Sequence, residues 1–220
     1  MAFGASTSSP GANNDVVVWD PFVRIAHWAL ALAFVAAYLS AEEEGGTPHA
    51  VHVWAGYLVG VIVAARIVWG FVGPRHARFA DFITGPVAAL QYLRDLLMRN
   101  ARRYIGHSPA GGAMVIVMLV FLAATVVTGI VAYGEQGKGP LGLSSPAPVS
   151  TAYADEDSRN GNAKPEGEDE ENLVAELHGL IANLTLGLVV LHVLGVALAS
   201  SAHHENLVRA MIHGRKRLAP

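Results

Sequence analysis

The sequence predicts an all-α integral membrane protein, a four-helix bundle with both termini on the cytoplasmic side. Three observations carry that reading. The composition is very apolar, with 52% hydrophobic and only 15% charged residues among 220, a balance far from that of a soluble domain. Four stretches are long and apolar enough to cross a bilayer, whose hydrocarbon core of about 30 Å needs roughly 20 helical residues. The connections between them alternate in charge, and Lys and Arg mark the cytoplasmic flank of a span.

The elements follow in chain order. Residues 1–16 carry no basic segment leading into a short apolar core, so they are read as a disordered leader to a membrane domain at 17–220. The first span is "FVRIAHWALALAFVAAYLSA", 22–41, followed by Glu42, Glu43 and Glu44. The second is "AVHVWAGYLVGVIVAARIVWGFVG", 50–73, and its exit carries Arg75, Arg78, Arg94, Arg99, Arg102 and Arg103. Within that connection, "GPVAALQYLRDLLMRNARRYIG", 85–106, has apolar residues at helical spacing with arginines between them. It is expected to be an interfacial amphipathic helix on the cytoplasmic surface, where anionic headgroups attract arginines.

The third span is "GGAMVIVMLVFLAATVVTGIVAYG", 111–134. A long acidic outer loop follows at 135–171, rich in Gly, Pro and Ser and closing with "EGEDEE"; much of it is expected to be disordered or partner-dependent. The fourth span, "NLVAELHGLIANLTLGLVVLHVLGVALAS", 172–200, leads into a basic tail ending "GRKR" before the last residues. With basic connections on one side and acidic ones on the other, the acidic loops face outward.

The chain has no cysteine, which excludes disulfides, thiolate metal sites and covalent c-type haem attachment. Ten histidines are the main chemical resource. Four of them lie within or at the ends of spans, namely His27, His52, His178 and His192. Ionisable groups are costly inside a bilayer, and each invites a functional explanation.

His178 and His192 are fourteen residues apart. That is about 21 Å along a helix axis, and within about 40° of whole turns. The two rings leave one helix face at opposite leaflets, which suits two stacked sites rather than one ion chelated from neighbouring turns. His27 starts an outward-running helix and so shares the depth of His192. His52 starts an inward-running helix and shares the depth of His178. Two facing neutral imidazoles without thiolates or carboxylates beside them match axial ligation of a b-type haem.

Small residues at Gly56, Gly179, Ala182, Gly187 and Gly195 would let a flat macrocycle approach the helices. Arg66 lies fourteen residues after His52, and Arg24 one turn before His27. Each is a candidate partner for a haem propionate, the alternative being that they snorkel to headgroups. His49, three residues before His52, is the rival ligand for the outer pair; His52 is the better embedded. His76 and His107 belong to the basic connection, and His203, His204 and His213 read as solvated or headgroup-facing. Asn183, Thr185 and Tyr57 are polar groups near haem depth, read as packing residues before quinone contacts.

The residues "VWDPFVRIAHW", "HVWAGY", "ARIVWGFVGP", "LHGLIANL…LHVLGV" and "HHENLVRAMIHGRKR" resemble the bacterial four-helix di-haem cytochrome b family. That family includes the cytochrome b-561 proteins and the cytochrome b subunits of nickel–iron hydrogenases. The resemblance covers nearly the whole chain from about residue 17, apart from the acidic loop, which is longer than in shorter members. It implies a bacterial inner-membrane electron carrier with two non-covalent haems b, ligated by His27, His52, His178 and His192, and a third helix without ligands. In the family, such a carrier connects quinone or quinol with a redox partner. A periplasmic c-type cytochrome is the partner the acidic outer face suggests. The alternative function is a membrane-anchoring subunit of a hydrogenase or dehydrogenase, and a distant one is a histidine-lined metal transporter.

Overall fold

Asp20 and Pro21 start the first long helix for local reasons. Pro21 needs no N–H in a first turn, and the Asp20 carboxylate accepts the Val23 backbone N–H at 3.1 Å, satisfying a donor the helix leaves open. The computed structural model describes residues 15–41, 49–142 and 166–217. Most of the leader, Glu42 to Glu44 and positions 143–165 of the acidic loop lie outside the described residues.

In chain order the elements are strand β1 (Asp15–Val17), α1 (Pro21–Leu39), α2 (Ala50–Val72), a 3₁₀ turn at Arg75–Ala77, α3 (Phe79–Phe82) and α4 (Pro86–Leu97). There follow α5 (Pro109–Glu135), α6 (Gly139–Gly142), α7 (Glu166–Ala202), α8 (Leu207–His213) and strand β2 (Arg215–Arg217). Among the described residues, four helices are long and apolar enough to cross a membrane: Pro21–Leu39, Ala50–Val72, Pro109–Glu135 and Leu173–Ala202. They match the four expected spans to within a few residues. Large apolar side chains along them stand open, Leu39 at 80% and Trp54 at 73% exposure among them. Such extensive apolar surface calls for lipid around it.

The chain divides into two compact units. The first comprises Met1–Ala26, Trp69–Ala113 and Gly195–Pro220. Here β1 and β2 pair antiparallel, Val16 opposite Lys216, an arrangement the helical periodicity of the sequence did not announce. Gly214 makes it possible. It ends α8 in the left-handed region at φ 77°, which glycine adopts without a Cβ penalty. Its carbonyl also accepts the Val18 and Trp19 N–H groups at 2.8 and 3.2 Å. Asn206 caps the other end of α8, accepting the Arg209 N–H at 2.7 Å.

Glu205 joins Arg103 in an ion pair and lies 3.9 Å from Lys216. Burial pushes the Lys216 ammonium down from its usual value, an effect the Glu205 carboxylate partly offsets. Aromatic contacts fill the rest of this unit. Phe22 packs on Trp69 at 4.7 Å, and His107 sits between Trp19 at 4.6 Å and Phe82 at 4.4 Å. Only Pro86–Leu97 of the expected 85–106 amphipathic stretch is α4; Arg99 then turns the chain at φ 57°.

The second unit comprises His27–Val68 and Met114–Leu194. In it α1, α2, α5 and α7 meet through side chains. Tyr38 donates to Asn183 at 2.7 Å, the Thr125 and Thr185 hydroxyls meet at 3.1 Å, and Gly60 approaches Val126. Thr185 is fully buried and also donates to the Ile181 carbonyl at 2.8 Å.

Candidate functional site: two facing histidine pairs

All four span histidines belong to the second unit, and their side chains meet in pairs. His52 sits in the first turn of α2 and His178 on α7, their ring centres 5.9 Å apart and their planes perpendicular. His27 on α1 and His192 on α7 have ring centres 6.3 Å apart with planes at 55°.

Hydrogen bonds set the tautomers of the first pair. A carbonyl oxygen only accepts, so a ring nitrogen bonded to one carries the proton. His52 Nδ1 donates to the Ala37 carbonyl at 2.8 Å, and His178 Nδ1 to the Thr125 carbonyl at 3.0 Å. Thr128 Oγ1 lies 3.2 Å from the same His178 nitrogen. In both rings Nε2 is left with its lone pair. His49, the rival, uses its Nδ1 to accept the Val51 N–H at 3.1 Å. In the second pair, His27 Nδ1 is buried without a hydrogen-bond partner among the described residues, and Trp28 lies against the ring, edge to face, at 5.3 Å.

A cavity of about 770 Å³ opens beside the first pair, lined by His52, His178, Gly56, Gly129, Gly179 and Ala182 among others. It falls within the roughly 300–1,000 Å³ typical of cofactor sites. Nothing lies within 4 Å of where a Cβ would stand on Gly56, Gly179 or Gly187, so the backbone there is open to a flat ligand. Two imidazoles bonded to one metal at about 2 Å each place their ring centres on the order of 6 Å apart. Both pairs have that spacing. Among the described residues no group of three or more His, Asp or Glu gathers to chelate an ion. The donor set fits bis-histidine haem.

The other sequence-derived residues are placed as follows. Arg66 is buried, 8% exposed, in the same unit as the histidines. Arg24 belongs to the first unit, where its guanidinium donates to the Ile212 carbonyl. His203, read as solvated, is half-buried and bonds the Tyr92 hydroxyl at 3.2 Å, and His76 bonds Asp81 at 3.1 Å. Asn183 and Thr185 are engaged in the helix contacts above, whereas the Tyr57 hydroxyl is buried without a partner among the described residues. Sequence reasoning passed over Thr125 and Thr128. Three residues apart on one face of α5 in an otherwise apolar run, they were the available signal.

Apolar spans carrying paired imidazoles define the class: a multi-pass membrane cytochrome of b type. The profile of the family described as prokaryotic cytochrome b561 matches residues 18–214, and the chain belongs to that family, which implies b-type haem. Among curated relatives, a probable Ni/Fe-hydrogenase B-type cytochrome subunit of Bradyrhizobium diazoefficiens is 29% identical over 165 residues, covering 63% of this chain and 66% of the relative. The Rhodobacter capsulatus protein of the same description is 30% identical over 156 residues (59% and 58%), and that of Azotobacter vinelandii 27% over 146 (54% and 60%). The chain thus spans about 60% of the length of these relatives. No solved structure matches it.

Proposed function

We propose that the chain is the membrane cytochrome b subunit of a hydrogenase-type enzyme, exchanging electrons between a catalytic partner and the quinone pool of the bacterial inner membrane. The relatives described as hydrogenase B-type cytochrome subunits favour this over a stand-alone carrier serving a periplasmic c-type cytochrome. The observation that carries electron transfer is the presence of two imidazole pairs, each spaced for one iron.

In this reading His27 and His192 would hold one haem b and His52 and His178 another. Bound haem supplies one-electron redox chemistry. The protein's own residues do the rest. The carbonyls of Ala37 and Thr125 fix the ligand tautomers, small residues line the macrocycle's approach, and the apolar spans keep water away. Arg66, buried in the same unit, is the propionate candidate. The basic connections and tail support cytoplasmic termini with α4 along that surface.

The test is spectroscopic, on membranes containing the chain and its natural partners. Hydrogen should reduce the chain's haem, seen as the α-band appearing, and the reduced haem should reoxidise on adding a quinone. Haem that responds to quinol or a soluble c-type cytochrome but never to hydrogen would overturn the hydrogenase assignment.

A further inference from the structure

The helix without histidines holds one of them in place. We infer that Thr128 and Gly129 of α5 form the seat of His178, with Thr128 a positioning residue that tunes it as an iron ligand; the inference rests on the haem reading above. Thr128 Oγ1 directs its single hydrogen to the Ala124 carbonyl at 2.8 Å. Its lone pairs are therefore what the His178 Nδ1–H meets at 3.2 Å, alongside the Thr125 carbonyl at 3.0 Å. The imidazole proton is shared between two oxygens of the same helix.

Gly129 supplies the room. A Cβ there would stand 2.9 Å from His178 Cε1 and 3.3 Å from Nδ1, too close for either group to keep its position. The ring could retreat only by giving up the hydrogen bonds just described. Helix register is held from a second point, since Thr125 Oγ1 meets the fully buried Thr185 of α7 at 3.1 Å. Thr125, Thr128 and Gly129 thus make α5 a template against which α7 presents His178.

The chemistry follows from the shared proton. Donating Nδ1–H to two oxygens puts electron density on the ring and makes Nε2 a more basic ligand. A more basic ligand favours the ferric state, so the seat lowers the potential of the haem that His178 ligates. The His27–His192 pair has no such effect from His27, whose Nδ1 is without a partner among the described residues.

Redox titration of the full-length protein, with haem counted in parallel, tests this. Thr128→Val should keep two haems while the reduced-to-oxidised ratio of one rises about threefold at fixed potential, or roughly 28 mV at 59 mV per tenfold for one electron. The other haem should not move, and Thr128→Ser should restore the wild-type value. Gly129→Ala should lose one haem and leave the spectrum left by His178→Ala. Unchanged potentials in Thr128→Val, an equal shift of both haems, or two haems in Gly129→Ala would overturn the seat. A wild-type protein without two haems would instead overturn the haem reading itself.

Discussion

The two histidine pairs are alike in spacing and unlike in support. His52 and His178 each give their Nδ1–H to a backbone carbonyl on a neighbouring helix, Ala37 and Thr125. In the other pair His27 buries Nδ1 with no partner among the described residues and rests against Trp28. The difference teaches that one pair is oriented before any cofactor arrives, while in the other His27 depends more on packing and on the iron itself. Pre-orientation of a ligand by a second hydrogen bond raises both its affinity and its basicity.

Histidine replacement is the strongest way to break the comparison. His27→Ala and His192→Ala should remove the same haem, and His52→Ala and His178→Ala the other, read from the α-band and haem count of each variant. Loss of both haems from every variant would mean the pairs are not independent sites. Next in size is the retention of haem under competition. Addition of apomyoglobin, a haem acceptor, should empty the His27–His192 site several-fold faster, because second-shell partners are typically worth 10–100-fold in metal affinity. Equal loss from both sites would remove the distinction.

Two smaller predictions sharpen the comparison by leaving both pairs intact. Gly214→Ala forces a Cβ into the left-handed region, to within 2.7 Å of the Trp19 carbonyl, and should cost about 1–2 kcal/mol. Its thermal midpoint should drop with both haem bands unchanged. The smallest effect belongs to Asp81. Burial opposes its ionisation, but hydrogen bonds from His76 and Arg75 outweigh that and hold the carboxyl below its usual value. A lowered carboxyl stabilises the fold above the ordinary carboxylate range and loses that contribution as the pH falls through the lowered value. Asp81→Asn should therefore cost under about 1 kcal/mol at neutral pH, as expected of an exposed pair. The gap from wild type should close in acid, as thermal melts at several pH values would show.

The spans were legible because a bilayer demands long apolar helices, and the four ligand candidates because imidazoles are costly there. Depth arithmetic paired His27 with His192 and His52 with His178, and the rings meet in those pairs. What the sequence hid depends on contacts distant along the chain. The β1–β2 pairing joins Asp15–Val17 to Arg215–Arg217, two three-residue runs too short for any period to show. The His178 seat hid among apolar neighbours, because a threonine in a membrane helix most often bonds its own preceding carbonyl, as Thr125 and Thr128 also do. Arg24 is a propionate candidate from spacing alone, and one of its guanidinium donors also reaches the Ile212 carbonyl.

The central claim is one iron for each imidazole pair. A pyridine hemochrome assay on the purified chain, set against protein mass, measures it directly. The account predicts two haems b per chain, falling to one in His27→Ala and in His178→Ala and to none when both are changed together. A correctly folded preparation that is colourless, or one that keeps two haems when either histidine is replaced, would contradict it.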